Sequence, residues 1–264
     1  MGRRRLKKIK LPPLTKQVRE ALARVSIIAA VVIVACAGAI IILNRYIHAS
    51  DYFALRSVES KGFSERPVAS ALNNEILSAH KYENIFDIDI RSLARSLRAK
   101  YPDAKKVAVL RALPDCLVAE FVFRKPVAVL RGLRYYPVDR EGYLLSSADA
   151  RTVQELPAIS GVNLKFGEGP GRRCASENLR CALDLLSEVR KSRYLSKYRL
   201  AAIDAGDIKN LSFYLNDGLE IKIGYEHFKD RLALLVRTLK DPRLVLERIR
   251  YIDVRFDDAV VSPR

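Results

Sequence analysis

Nineteen consecutive residues, Val25 to Leu43 (VSIIAAVVIVACAGAIIIL), carry no charge, and Ser26 supplies their only hydroxyl. As an α-helix this run measures about 28 Å, close to the ~30 Å hydrocarbon thickness of a bilayer. A secretory signal has a shorter apolar core of about 7–15 residues, followed by a small-x-small cleavage site. Here the following residues, NRYIHASD, would put Ile47 at the −3 position. The run therefore reads as an uncleaved transmembrane helix over residues 25–47, in preference to a signal peptide or a buried core helix.

The flanks of the run set an expected orientation. Residues 1–24 hold nine basic residues and one acid, Glu20, whereas Arg45 alone stands just beyond Leu43. Basic residues stay on the cytoplasmic side. The expectation is a basic cytoplasmic tail, residues 1–24, and residues 48–264 on the far side of the cytoplasmic membrane, a single-pass type II protein. Anionic lipid heads would hold such a tail near the surface. The remaining chain has 38 basic and 29 acidic residues, a net of +9. That excess fits contact with wall polymers or lipid heads. It lacks the interleaved exposed aromatics of a nucleic-acid surface, so nucleic acid is not an expected partner.

Residues that carry chemistry are sparse. The three histidines, His48, His80 and His227, have no second ligand or nucleophile near them in the sequence. The glycine-rich stretch FGEGPGRR (166–173) lacks the G-x-x-x-x-G-K-[ST] order of a phosphate cradle. Neither G-x-S-x-G nor H-E-x-x-H occurs, and Asp257-Asp258 has no adjoining acid–base motif. Cys174 and Cys181 are seven residues apart, about 10 Å along a helix and too far for a disulfide if both are helical. Without C-x-x-C there is no zinc pattern. The reading is of no catalytic residue, no metal, no cofactor and no small-molecule substrate.

The chain is long enough for one to two domains, and two α+β units follow the span. The first, expected over residues 48–125, orders its elements strand, helix, helix, strand, strand. YFALRSVES reads as a strand and Gly62 turns the chain. Ser64 opens a helix with Val68, Leu72 and Ile76 at helical spacing, and Asp89 caps a second with Leu93 and Leu97 inward. KKVAVLRAL and DCLVAEFVF are strands joined at Pro114-Asp115. The second unit, residues 126–264, is β-rich with two helices. Residues 175–190 place Leu179, Leu183 and Leu186 on one face, and YEHFKDRLALLVRTLKD forms the other helix. LSFYLNDGLEIKIG is a hairpin turning at Asp217-Gly218, with Leu211, Phe213, Leu215, Leu219, Ile221 and Ile223 inward. LPAISGVNLKFGEGPGRR reads as loop.

IRYIDVRF (249–256) alternates as a strand, with Ile252, Val254 and Phe256 on one face and Tyr251, Asp253 and Arg255 on the other. No later segment is expected to pair beside it, so it reads as a sheet edge with unpaired N–H and C=O groups.

This ordered series resembles the FtsQ/DivIB family of bacterial cell-division proteins. The resemblance runs from the basic tail to the last strand. VESKGFSERPVASAL is similar to the entry of the family's POTRA domain. NIFDIDIRSLARSLRAKYPDAKKVAVLRALPDCL is similar to its second helix and following strands, and RKPVAVL to the junction after it. LNDGLEIKIG and YIDVRF are similar to the late hairpin and terminal strand. The chain departs from the usual pattern at Phe123, where a glutamate is common, and in having no tryptophan near Pro102. The resemblance implies a non-enzymatic divisome scaffold in septal cell division that docks FtsB-like and FtsL-like partners outside the cytoplasm by pairing with the terminal strand. It implies a recruitment role for the POTRA domain. By position in the motif, Phe256, Asp258 and Val260 would line the pairing. Arg255 would meet a partner carboxylate, and Lys209 would offer a second charged contact. Competing readings are a POTRA-bearing chaperone or translocation factor for envelope proteins, and a membrane-anchored binder of wall polymer.

Overall fold

The computed structural model of the chain describes residues 16–132, 134–146, 150–164, 169–215 and 218–264. Residues 1–15 of the basic tail, residues 166–168 of the glycine-rich stretch and Asp217 of the expected hairpin turn lie outside these. The chain divides into two compact units. One is Met1–Glu59, Ala71–Asp89 and Arg111–Leu117; the other is Ser60–Ser70, Ile90–Leu110 and Val118–Arg264.

The first unit contains α1 (Lys16–Ala49). Its stretch Arg24–Ala49 is long and apolar enough to cross a membrane, and its most apolar window has none of its residues buried. A 3-10 turn, Asp51–Phe53, follows, with the Tyr52 N–H donating to Ser50 Oγ at 3.3 Å. The sequence reads as a strand from Phe53 onward; the strand instead begins at Ser57. The reason is a prior claim on the backbone. Leu55 N–H donates to Glu83 O, and Ile85 N–H to Phe53 O, both at 2.9 Å. Leu55 and Ile85 are fully buried. The Arg111 side chain then satisfies the loop's inward carbonyls, donating to Ile85 O at 2.5 Å, Phe86 O at 3.3 Å and Ile88 O at 2.8 Å. Buried carbonyls need such donors, and one guanidinium carries five N–H groups.

Along the chain the next elements are β1 (Ser57–Lys61), α2 (Arg66–His80), α3 (Ile90–Lys100), β2 (Ala104–Ala112) and β3 (Cys116–Phe123), in the expected strand-helix-helix-strand-strand order. The three strands form a sheet in the order β1-β3-β2. Gly62, just after β1, has φ 100°, and a Cβ there would lie 2.0 Å from Phe121 O, so only glycine fits that turn.

The second unit is dominated by a mixed eight-stranded sheet. Its strands are β4 (Pro126–Arg131), β5 (Tyr135–Asp139), β6 (Ala158–Ser160), β7 (Leu200–Asp204), β8 (Ser212–Leu215), β9 (Leu219–Lys222), β10 (Ile249–Asp253) and β11 (Val260–Pro263). They lie in the order β11-β10-β9-β8-β7-β6-β4-β5. Parallel neighbours need long crossovers. α5 (Glu177–Lys191) connects β6 to its parallel neighbour β7, and α6 (Phe228–Leu239) connects β9 to its parallel neighbour β10. Leu179, Leu183 and Leu186 of α5 are buried, as are Leu232, Leu235 and Leu239 of α6. They belong to one core cluster with Ile159, Ile203, Phe213, Ile221 and Ile252 of the sheet. The hairpin β8–β9 pairs Phe213 with Ile221 and Leu215 with Leu219, and all six expected inward residues are buried. Besides β11, for which the sequence reading has no counterpart, two elements depart from it. A six-residue helix, α4 (Ala150–Glu155), is added to the two expected, and β6 lies in a stretch that reads as loop.

The same unit buries a charged pair where β3 gives way to β4. Arg124 and Asp139 have side chains only 7% and 8% exposed and meet at 2.5 Å. Arg124 also reaches Glu141 at 2.8 Å and lies 3.5 Å from the Tyr143 ring centre. Asp139 Oδ1 accepts from the N–H groups of Glu141 and Tyr143. Hydrogen bonds from Lys105 and then Arg124 hold the Glu141 carboxyl down at about 2, against an ordinary 4.5. A depressed carboxylate contributes stability above its unfolded pKa and loses it as pH falls through the folded one. In acid titrations of unfolding, Glu141→Gln is expected to lose less stability than the parent as pH falls from about 4.5 toward about 2. Parallel curves would refute this.

Candidate interaction edge

Residues 249–263 form the β11 end of the eight-stranded sheet. IRYIDVRF is not its edge strand, as the sequence reading had it. Residues 254–259 turn back, and β11 pairs antiparallel with β10, placing Val260 opposite Asp253 and Val261 opposite Ile252. Among the described residues no strand lies beyond β11.

The direction of the backbone groups follows from one hydrogen bond. Val254 N–H donates to Lys222 O of β9 at 2.9 Å. Backbone groups alternate sides along a strand, so Ile252 and Val254 aim theirs at β9, and Tyr251 and Asp253 aim theirs at β11. Their register partners, Ser262 and Val260, aim back. Val261 is left with its N–H and C=O pointing outward. Pro263, two residues on, has no N–H to offer there. The edge is short and carries a proline, two devices that limit indiscriminate strand addition.

The expected faces hold for Ile252 and Val254, both fully buried, and fail beyond them. Asp253 is buried and Phe256 is 61% exposed. The cause is the Asp253 carboxylate. It accepts from the Arg255 N–H at 3.1 Å and from Arg255 Nε and Nη2 at 2.9 and 2.6 Å. This bends the chain after β10 and ends the alternation before Phe256. Burial alone would raise the Asp253 pKa; the hydrogen bonds from Arg255 outweigh it and hold the carboxyl below its usual range. Arg255 Nη1 donates to Asn210 Oδ1 at 2.5 Å. The guanidinium proposed for a partner carboxylate is thus already occupied within the chain.

Lys209 sits in a 3-10 turn, Ile208–Asn210, capped by Asp207, whose Oδ1 accepts from the Lys209 N–H at 3.0 Å. Its side chain is exposed, and Asn210 of the same turn joins it to the Arg255 corner. Gly224 makes that corner possible. Its φ is 68°, and a Cβ would come within 2.8 Å of Arg231 Nη1 and 3.3 Å of Lys209 O. Phe256 and Arg255 line a cleft of about 520 Å³ with His227, Arg231, Leu234 and Arg237 of the α6 region. Asp258 is exposed in the connecting loop, and Val260 is exposed at the start of β11. The five sequence-derived residues therefore occupy one region with distinct situations: Arg255 internally paired, Phe256, Asp258 and Lys209 exposed, Val260 at the edge. Sequence reasoning missed Asn210, and missed that Asp253 and Arg255, two apart on one strand face, are placed to pair.

Among the described residues, no three His, Cys, Asp or Glu side chains come together to hold a metal ion.

Comparison with known proteins concerns the same region and more. Residues 128–255 match the family described as cell division protein FtsQ/DivIB, C-terminal. The cell division protein FtsQ of Koribacter versatilis is 24% identical over 245 residues, covering 90% of this chain and 69% of that protein. That of Geotalea daltonii is 23% identical over 232 residues, covering 86% and 81%. That of Myxococcus fulvus is 24% identical over 204 residues, covering 75% and 68%.

Proposed function

We propose, for a chain that belongs to the FtsQ/DivIB family of cell division proteins, the role of a non-enzymatic scaffold of the septal machinery. α1 anchors it in the cytoplasmic membrane. The nine basic residues before Val25, against Arg45 alone after Leu43, put its N-terminus in the cytoplasm and residues 48–264 outside. There, residues 48–125 act as a POTRA domain and residues 126–264 as the partner-docking domain. The partners are small coiled-coil proteins of the FtsB and FtsL type.

The observation that carries this reading is the outer side of β11, beyond which no strand lies among the described residues, with Val260 exposed at its start and Phe256 exposed in the loop that leads to it. A partner strand laid there gains backbone hydrogen bonds by β-augmentation. With Val261 aiming its N–H and C=O outward and Pro263 contributing no donor, side chains must supply much of the affinity. Phe256 is the aromatic anchor, and Asp258, Val260 and Lys209 are the surrounding contacts.

Aromatic anchors concentrate binding energy, whereas surface substitutions usually change folding stability by less than about 0.5 kcal/mol. Phe256→Asp is therefore expected to fold like the parent and to bind an FtsB-like partner at least about tenfold more weakly, a loss of about 1.4 kcal/mol. Titration of the detergent-solubilised full chain with that partner measures it. Unchanged affinity would place docking elsewhere.

A further inference from the structure

We infer that the loop Lys81–Asp87 is a membrane foot: a surface that rests in the phospholipid headgroup layer on the side where α1 ends, with Tyr82 and Lys81 as its lipid contacts. The inference rests on α1 spanning the membrane.

The depth of the loop follows from its bonds to α1. The last carbonyls of a helix have no partner within it. Here Asn84 Nδ2 donates to Ile47 O at 2.8 Å and His48 O at 3.2 Å. Asn84 Oδ1 accepts from the Phe86 N–H at 3.0 Å, which fixes the amide in place. Asp87 Oδ1 meets His48 Nδ1 at 2.5 Å, and the Phe86 ring lies edge-on to His48 and to Phe53. Arg111 holds the loop from behind through the carbonyls of Ile85, Phe86 and Ile88. The loop is thus clamped to the end of the helix.

With the apolar run ending at Leu43, Ile47 lies about 6 Å further along the axis. The headgroup layer extends about 5–8 Å beyond the hydrocarbon on each side. A loop hydrogen-bonded to Ile47 and His48 is therefore at headgroup depth.

The side chains at that level suit it. Tyr46 on the last turns of α1, Tyr52 in the 3-10 turn and Tyr82 in the loop are all exposed. Tyrosine is enriched at membrane interfaces, where its ring and hydroxyl meet two environments. Tyr82 is the informative one. It stands just after α2 with φ 65°, a left-handed position that glycine occupies without strain and that is unusual for a bulky side chain. The residue is 70% exposed, so the fold gains little packing from a tyrosine there. Lys81 Nζ lies 4.9 Å from the ring centre, placing a cation beside it for lipid phosphate. Strain carried by a solvent-facing aromatic points to a contact outside the chain.

The test uses the full chain, which has no tryptophan of its own, in phosphatidylcholine nanodiscs. Tyr82→Trp and, separately, Val34→Trp each provide a single fluorophore. Lipids brominated near the headgroup and near the chain ends serve as shallow and deep quenchers. Tyr82→Trp is expected to lose intensity to the shallow quencher, and Val34→Trp to the deep one. Adding Asn84→Ala to Tyr82→Trp is expected to diminish the shallow quenching as the foot lifts. If Val34→Trp is quenched while Tyr82→Trp emits as a solvated indole untouched by either lipid, the foot is overturned and the span stands. If Val34→Trp escapes quenching, the span itself is wrong and the foot with it. If Asn84→Ala leaves the Tyr82→Trp quenching unchanged, the clamp is not what seats the loop.

Discussion

Arg124→Ala is expected to lower the unfolding free energy by about 3–5 kcal/mol, the cost of leaving one member of a buried ion pair without its partner. Asp139 is 8% exposed and has no other cation among its described contacts. Burial by itself would lower the Arg124 pKa, but hydrogen bonds to Glu141 and Asp139 reverse that, so the guanidinium stays charged and its removal leaves the buried Asp139 side chain without its cation. The stacked contact with Tyr143 at 3.5 Å is lost as well. At roughly 2–4 °C per kcal/mol for a domain of this size, the melting temperature should fall by roughly 6–20 °C. Lys105→Ala is the contrast, because its ion pair with Glu141 is half exposed and solvent-screened pairs contribute little to stability. Unfolding of both variants in the same detergent decides it. Equal small losses would mean that Asp139 finds water or another donor once Arg124 is gone.

Arg255→Glu should destabilise the fold, contrary to what a surface contact residue would do. Asp253 is 7% exposed and Arg255 28%. Allowing for that partial exposure, the expected loss at neutral pH is about 2–3 kcal/mol. The pH dependence gives the sign. In the parent, the Asp253 carboxyl is depressed, because hydrogen bonds from Arg255 outweigh the effect of burial. Its contribution is present above the unfolded carboxylate pKa and disappears as pH falls through the folded one. With glutamate at 255 that hydrogen bonding is replaced by burial plus repulsion, both of which raise the Asp253 pKa. The variant's deficit should be largest near neutrality and should narrow below about pH 4, where carboxylates protonate. A variant as stable as the parent at pH 7 but weak in partner binding would instead make Arg255 a direct contact, as the family resemblance implies.

These two arginines mark the boundary between what is local in the chain and what is not. α1 is a property of nineteen uncharged residues in a row, and nothing elsewhere in the chain is needed to infer it. The core faces of α5 and α6 follow from leucines at helical spacing. The hairpin β8–β9 follows from alternation on either side of Asp217-Gly218. In each case the deciding interaction lies within a few residues, so the period of the side chains reports it. The candidate region was legible to the same extent. Its location came from the likeness of YIDVRF to a known strand, and the buried pair Ile252 and Val254 came from alternation.

The edge itself was decided elsewhere. Three-residue β6 is too short for any period, and it exists because β4 and β7 lie parallel on either side of it. β11 becomes the edge because Arg255 folds back onto Asp253 and reverses the chain, so that four more residues reach β10. Arg124 and Asp139 are 15 positions apart, Asn84 and Ile47 are 37, and Arg255 and Asn210 are 45. Sequence alone determined which segments are apolar, which alternate and where charge lies. Tertiary structure alone decided which distant donor meets each acceptor, because a hydrogen bond or ion pair is chosen by closeness in space, and a one-dimensional pattern carries no record of that.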